Sequence, residues 1–159
     1  MNPVSPAEPI YCAADAADDA GDYATAFRLF TEAAALGDVA AMARLASLFE
    51  LGRGTTFDLD MSITWDLEAI DSGHLSSLFN PAVTYRRHVH IRKARHWFER
   101  SLASGDATAA IELAKLLSVS DSEEPAARDY LRRALASDNL TEANRDEAQW
   151  LLQTDLRDW

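Results

Sequence analysis

Three of the chain's four histidines, His88, His90 and His96, fall in one short run with Arg86, Arg87, Arg92, Lys93 and Arg95. His88 and His90 are spaced as a metal-binding pair, and His96 would supply a third imidazole. Zinc usually takes four nitrogen, sulfur or carboxylate ligands in a tetrahedron, and only Glu99 lies near enough in sequence to complete one. The flanking arginines would also repel a dication. No metal site is expected. The guanidinium groups suggest other chemistry, because arginine forms paired hydrogen bonds with carboxylates. Arg86, Arg87 and Arg92 would therefore suit an acidic protein partner. The same run also reads as a solvated hairpin tip that offsets acidic helices elsewhere in the chain.

Catalysis requires a nucleophile and base, or two carboxylates, converging in a pocket. No G-x-S-x-G, phosphate loop or H-E-x-x-H pattern occurs. Asp66 with Glu68, and Glu123 with Glu124, read as exposed helix or loop charges. The expectation is a non-catalytic chain with no cofactor. At 159 residues it carries a net charge of −11. Binding nucleic acid depends on a basic surface that releases counterions, so nucleic acid is not expected as a main partner. Cys12 is the one cysteine, which rules out a disulfide within the chain. It reads as a small buried apolar residue on the first helix. The first residues lack the basic and apolar regions of a secretion signal, and no run is long and apolar enough to cross a membrane. These observations predict a cytoplasmic protein without membrane contact.

Behind the histidine run lies a repeat. Gly37, Gly73, Gly105 and Asp138 are 36, 32 and 33 residues apart, and the residues before them fall into register. Eleven positions upstream stand Ala26, Ser62, Ala94 and Ala127. Eight upstream stand Leu29, Trp65, Trp97 and Tyr130, which read as core residues. Four upstream stand Ala33, Ala69, Ser101 and Ala134. A period in this range marks stacked helical units. Low glycine and proline with abundant alanine favour helix throughout.

Residues 1–9, with three prolines, read as a flexible N-terminus, and residues 10–159 as one helical-repeat domain. Its units run about 23–58, 59–90, 91–122 and 123–155. The predicted capping helix Ile10–Ala20 turns Ile10, Ala13, Ala14 and Ala17 inward, with Asp15, Asp18, Asp19 and Asp22 on a polar outer side. Asp38 should cap the third helix, and Asp58 or Asp60 the fourth. The fourth helix should bury Met61, Trp65, Leu67, Ala69 and Ile70 in part. Asn80-Pro81 predicts a kink or a late start in the fifth. The last helix should turn Ala143, Glu147, Trp150 and Leu151 inward. About nine helices follow, with no strand.

From Gly52 the pattern becomes more specific. Gly52-x-Gly54, Asp58, Ser62, Trp65, Ala69 and Gly73 resemble the Sel-one-like repeat, a relative of the tetratricopeptide repeat. Ala41, Leu45, Ala46 and Phe49 are similar to the small-Leu-small-aromatic pattern of one helix in that unit. The likeness covers about Tyr23 to Leu117, with a worn copy from Ala126 onward. It implies an all-α, right-handed solenoid of antiparallel hairpins, and a bacterial protein-interaction adaptor. In stacked hairpins the second helix of each unit lines the concave face, where partners usually lie. Its outward residues here are Arg44 and Ser47, then Asn80, Val83 and Arg86, then Glu112 and Lys115. With Arg87 and Arg92 these are the candidate partner-binding residues. The alternative function is an immunity or antitoxin protein that neutralises a basic toxin, suggested by size and acidity. Self-association through an exposed repeat end would give a homodimer.

Overall fold

The computed structural model describes residues 5–118 and 123–154, apart from the side chains of Leu75 and Ser76. Among the described residues are nine α-helices and no strand. They are α1 (Ala7–Asp19), α2 (Tyr23–Ala35), α3 (Val39–Leu51), α4 (Leu59–Asp71), α5 (Phe79–Arg87), α6 (Ile91–Ala103), α7 (Thr108–Leu117), α8 (Glu124–Leu135) and α9 (Glu142–Gln153), with a 3₁₀ turn at Leu75–Leu78. The chain divides into two compact units, Met1–Ser77 and Leu78–Trp159. The expected repeat 59–90 straddles this division, with α4 in the first unit and α5 in the second.

In the first unit each helix packs on the next along the chain. Asp22, Asp38 and Asp58 accept backbone N–H bonds from Thr25, Ala41 and Met61, which starts α2, α3 and α4. These carboxylates satisfy donors that a helix start otherwise leaves unpaired. The core joins Ala7, Ala14, Ala26, Phe30, Ala33, Ala41, Leu45, Leu48 and Ala69. Small residues at the helix crossings let the axes approach closely. In the second unit, Phe98 packs with Ala82, Ala94, Ala109 and Leu113, and Ile111 with Ala127, Leu131, Ala148 and Leu151.

α1, α2, α4 and α6 end alike. Gly21, Gly37, Gly73 and Gly105 take positive φ. In each case the glycine N–H and the next N–H bond back to the last turn, as Gly37 does to Ala34 and Asp38 to Ala33. This is the Schellman closure, whose left-handed residue is normally glycine. α8 differs. Asp138 has no positive φ, and Arg145 instead donates to the carbonyls of Leu135 at 2.9 Å and Ser137 at 3.0 Å. Pro81 falls in the first turn of α5, after the 3₁₀ turn, so the late start occurs. A proline is tolerated there because its missing N–H would find no helical partner.

Several side chains lie elsewhere than expected. α1 begins at Ala7, inside the segment read as flexible; residues 1–4 of that segment lie outside the described residues, as do 119–122 of the third unit and 155 of the last. Its packed stripe runs Ala7, Ile10, Tyr11, Ala14 and Ala17, so Ala13 and Cys12 are exposed. Met61 and Leu67 are exposed, while Ile63 is buried instead. On α9, Ala143 and Trp150 face solvent, and Ala148 is buried with Leu151. Trp65, Trp97 and Tyr130 are half-buried at the margin of the cores. The fully buried residues come one position later, at Phe30, Phe98 and Leu131. Asp66, read as an exposed charge, occupies that same repeat position and is 1% exposed.

Candidate functional site

The candidate residues fall into three settings. In the first unit, Arg44 on α3 reaches α1, where its Nη2 donates to Asp15 and to Asp18, each at 2.8 Å. Its guanidinium also lies 5.6 Å from the centre of the Phe30 ring. Half of the acidic group expected on the outer side of α1 therefore turns inward onto one arginine. Ser47, one turn along α3, is exposed.

In the second unit the candidates converge. Arg86 on α5 pairs with Glu112 on α7, and Lys115 donates to the same carboxylate at 3.0 Å. Lys115 also meets Glu147 on α9 at 2.7 Å. Arg86, Glu112, Lys115 and Glu147 thus form a ladder of alternating charge across three helices. The Glu112 side chain is only 12% exposed, so its two cations also neutralise a nearly buried carboxylate. Helical spacing alone groups Glu147 with the inward residues of α9, but its side chain is 41% exposed and ends the charge row. Val83 is half-buried against the Phe98 cluster, and Asn80 is likewise half-buried.

The third setting is the turn from α5 to α6. Arg87 and Arg92 are exposed, and Lys93 lies 4.9 Å from the Tyr85 ring centre. Arg95 is drawn away from the tip by Glu99 at 3.1 Å and Glu123 at 3.0 Å. The hydrogen bond to Glu99 is the main reason its guanidinium holds its proton more tightly than usual. His96 stacks edge-on with Trp97, away from His90, which meets Tyr85. Among the described residues no three His, Cys, Asp or Glu side chains gather as metal ligands. No described helix is long and apolar enough to cross a membrane.

The turn also holds Val89, a residue no sequence pattern singled out. It closes α5 in the left-handed conformation, φ 62°, where α1, α2, α4 and α6 use glycine. Its N–H and that of His90 bond to Arg86 and Tyr85, the same closure made with a β-branched side chain.

No protein-family model matches the sequence, and no curated protein matches it. Among solved structures, a Sel1 repeat protein from Oxalobacter formigenes superposes with a TM-score of 0.69 at 18% identity, over 96% of this chain. The fold is that of a Sel1 repeat protein. This chain spans 65% of the length of that structure. The Sel1-repeat likeness establishes the all-α solenoid class that Gly52-x-Gly54 and the recurring small residues pointed to. At this identity it carries architecture alone. In that architecture Gly54 allows a close approach of two backbones. A Cβ there would overlap the Tyr23 carbonyl oxygen, so the loop after α3 lies directly on the start of α2.

Proposed function

We propose that this chain is a non-catalytic protein-interaction scaffold that takes a protein partner over the α5, α7 and α9 side of its second unit. The observation that carries the reading is the ladder Arg86, Glu112, Lys115 and Glu147. It presents fixed, alternating charges beside Asn80 and Val83, and fixed charges select a partner more than they add raw affinity. Arg87 and Arg92 extend the cationic end. In the first unit, Ser47 and Arg44 on α3 are a separate candidate contact, Arg44 less readily because Asp15 and Asp18 already hold it. We also read residues 10–159 as one repeat domain, and a homodimer as one way for an exposed end to be covered.

The test is affinity capture from native lysate, comparing the natural chain with an Arg86→Glu, Arg87→Glu variant of unchanged helicity. One stoichiometric partner, lost in the variant, supports this face; equal capture by both sinks it. The net charge of −11 favours a second reading, an immunity protein that occludes a basic toxin. That role expects a partner toxic when expressed alone, held tightly and released steeply by salt.

A further inference from the structure

We propose that the turn between α5 and α6 docks an acidic segment of a protein partner. An apolar side chain of that segment would seat against Val89 and Ile91, and its carboxylates would meet Arg92 and Lys93. The inference rests on the scaffold reading but places a contact away from the charge ladder.

The backbone provides the first reason. A β-branched residue in the left-handed region is an outlier, since its side chain crowds the backbone there. Glycine closes four other helices of this chain with the same pair of hydrogen bonds, so the turn itself has no need of valine. Packing does not need it either, because Val89 is 77% exposed. Strain held with no internal return is characteristic of contact sites. Ile91 stands beside it, 42% exposed. Val89, His90, Ile91, Arg92 and Lys93 line one open depression of about 340 Å³.

Charge provides the second reason. Arg86, Arg95, Lys115 and Arg128 each hold a carboxylate within the second unit. Among the described residues Arg92 is exposed with no ion pair, and Lys93 has only the face of Tyr85. α6 carries no acidic residue in its first turn, and His90 contributes no side-chain cap. The positive end of that helix therefore adds to the two cations. A chain of net charge −11 repels an acidic partner at long range, so docking depends on local cations such as these two. A nucleic acid would meet the same repulsion without using the two apolar side chains. A small anion would use the cations alone.

The probe is a labelled, terminally blocked peptide, Glu-Asp-Leu-Phe-Glu-Asp, titrated by fluorescence anisotropy. Val89→Gly keeps the closure and removes strain, so a binding loss there is not a folding loss. Affinity should fall at least about fivefold in Val89→Gly and more in Arg92→Glu, Lys93→Glu. It should fall likewise when Gly-Gly replaces Leu-Phe, or Gln and Asn replace the acids. Unchanged binding in Val89→Gly, or with the Gly-Gly peptide, would reduce the turn to an anion site and overturn the proposal. So would displacement by inorganic phosphate at equal affinity, or no binding of the peptide at all. Self-association of the chain that is lost in Arg92→Glu, Lys93→Glu, without peptide binding, would make the occupant a second copy and equally overturn it. Peptide failure with ladder-dependent capture intact defeats this docking point alone. Peptide binding with capture insensitive to Arg86 and Arg87 supports it while the ladder reading falls.

Discussion

The backbone carbonyl of Tyr23 occupies the space that a side chain on Gly54 would need. The contact holds the loop after α3 against the first turn of α2. Gly37 also has positive φ, but nothing lies within 4 Å of its missing Cβ. Gly54→Ala should therefore cost about 3 kcal/mol, and Gly37→Ala about 1 kcal/mol from backbone conformation alone. Urea unfolding of the two variants checks the order.

At Val89 the opposite sign is expected. Glycine relieves the left-handed strain, partly offset by the greater freedom of the unfolded chain. Val89→Gly should stabilise by about 0.5–1 kcal/mol, seen as a raised denaturation midpoint with an unchanged slope.

Asp66 and Glu68 are two residues apart on α4 and should behave differently. Asp66 is buried at the repeat position held by Phe30, Phe98 and Leu131, whereas Glu68 is exposed. Asp66 has a partner within the fold, and removing its buried carboxylate leaves that partner unsatisfied, so Asp66→Ala should cost about 3 kcal/mol. Glu68→Ala should stay within about 0.5 kcal/mol. Similar values for the two would show that burial does not set the cost.

Asp22 links the start of α2 to pH. Its hydrogen bonds from Thr25, side chain first and backbone next, hold the carboxyl below its ordinary value. A folded-state value below the unfolded one stabilises above the unfolded value and is lost as pH falls through the folded one. The stability gap between the natural chain and Asp22→Ala should thus be present at neutral pH and narrow below about pH 4. A gap that persists at lower pH would mean the carboxylate is not its source.

The ladder can be measured by a double-mutant cycle on Arg86 and Glu112. Arg86 is 38% exposed, so solvent screening limits the coupling to about 1 kcal/mol or less. It should shrink further as salt is raised. Coupling that is indifferent to salt would point to packing over the Phe98 ring, 5.9 Å from the guanidinium.

Helix number, the Asp38 cap, a cap at Asp58 or Asp60, a kink or late start at Pro81 and the closures at Gly37, Gly73 and Gly105 were legible in the sequence. Each depends on residues within a few positions of one another, where backbone sterics and a single hydrogen bond decide. The candidate site was legible only as a set of outward positions. Glu112 and Lys115 could be placed on one side of α7 by helical spacing, but Glu147 on α9 lies 32 residues from Lys115, beyond any local rule.

The sequence by itself determined the period, the small residues at the crossings and the all-α class, because a stripe repeated every 32 to 36 residues has to be buried by its neighbours. Tertiary structure alone decided which edge of each stripe goes deepest. A helical stripe is broad, and only the approach of neighbouring helices selects Phe98 over Trp97, buries Asp66 and leaves Cys12 in solvent. It alone also decided that Arg44 and Arg86 are held by carboxylates from distant helices, while Arg92 has no ion pair among the described residues. Ion pairs depend on distances in space that sequence separation does not encode.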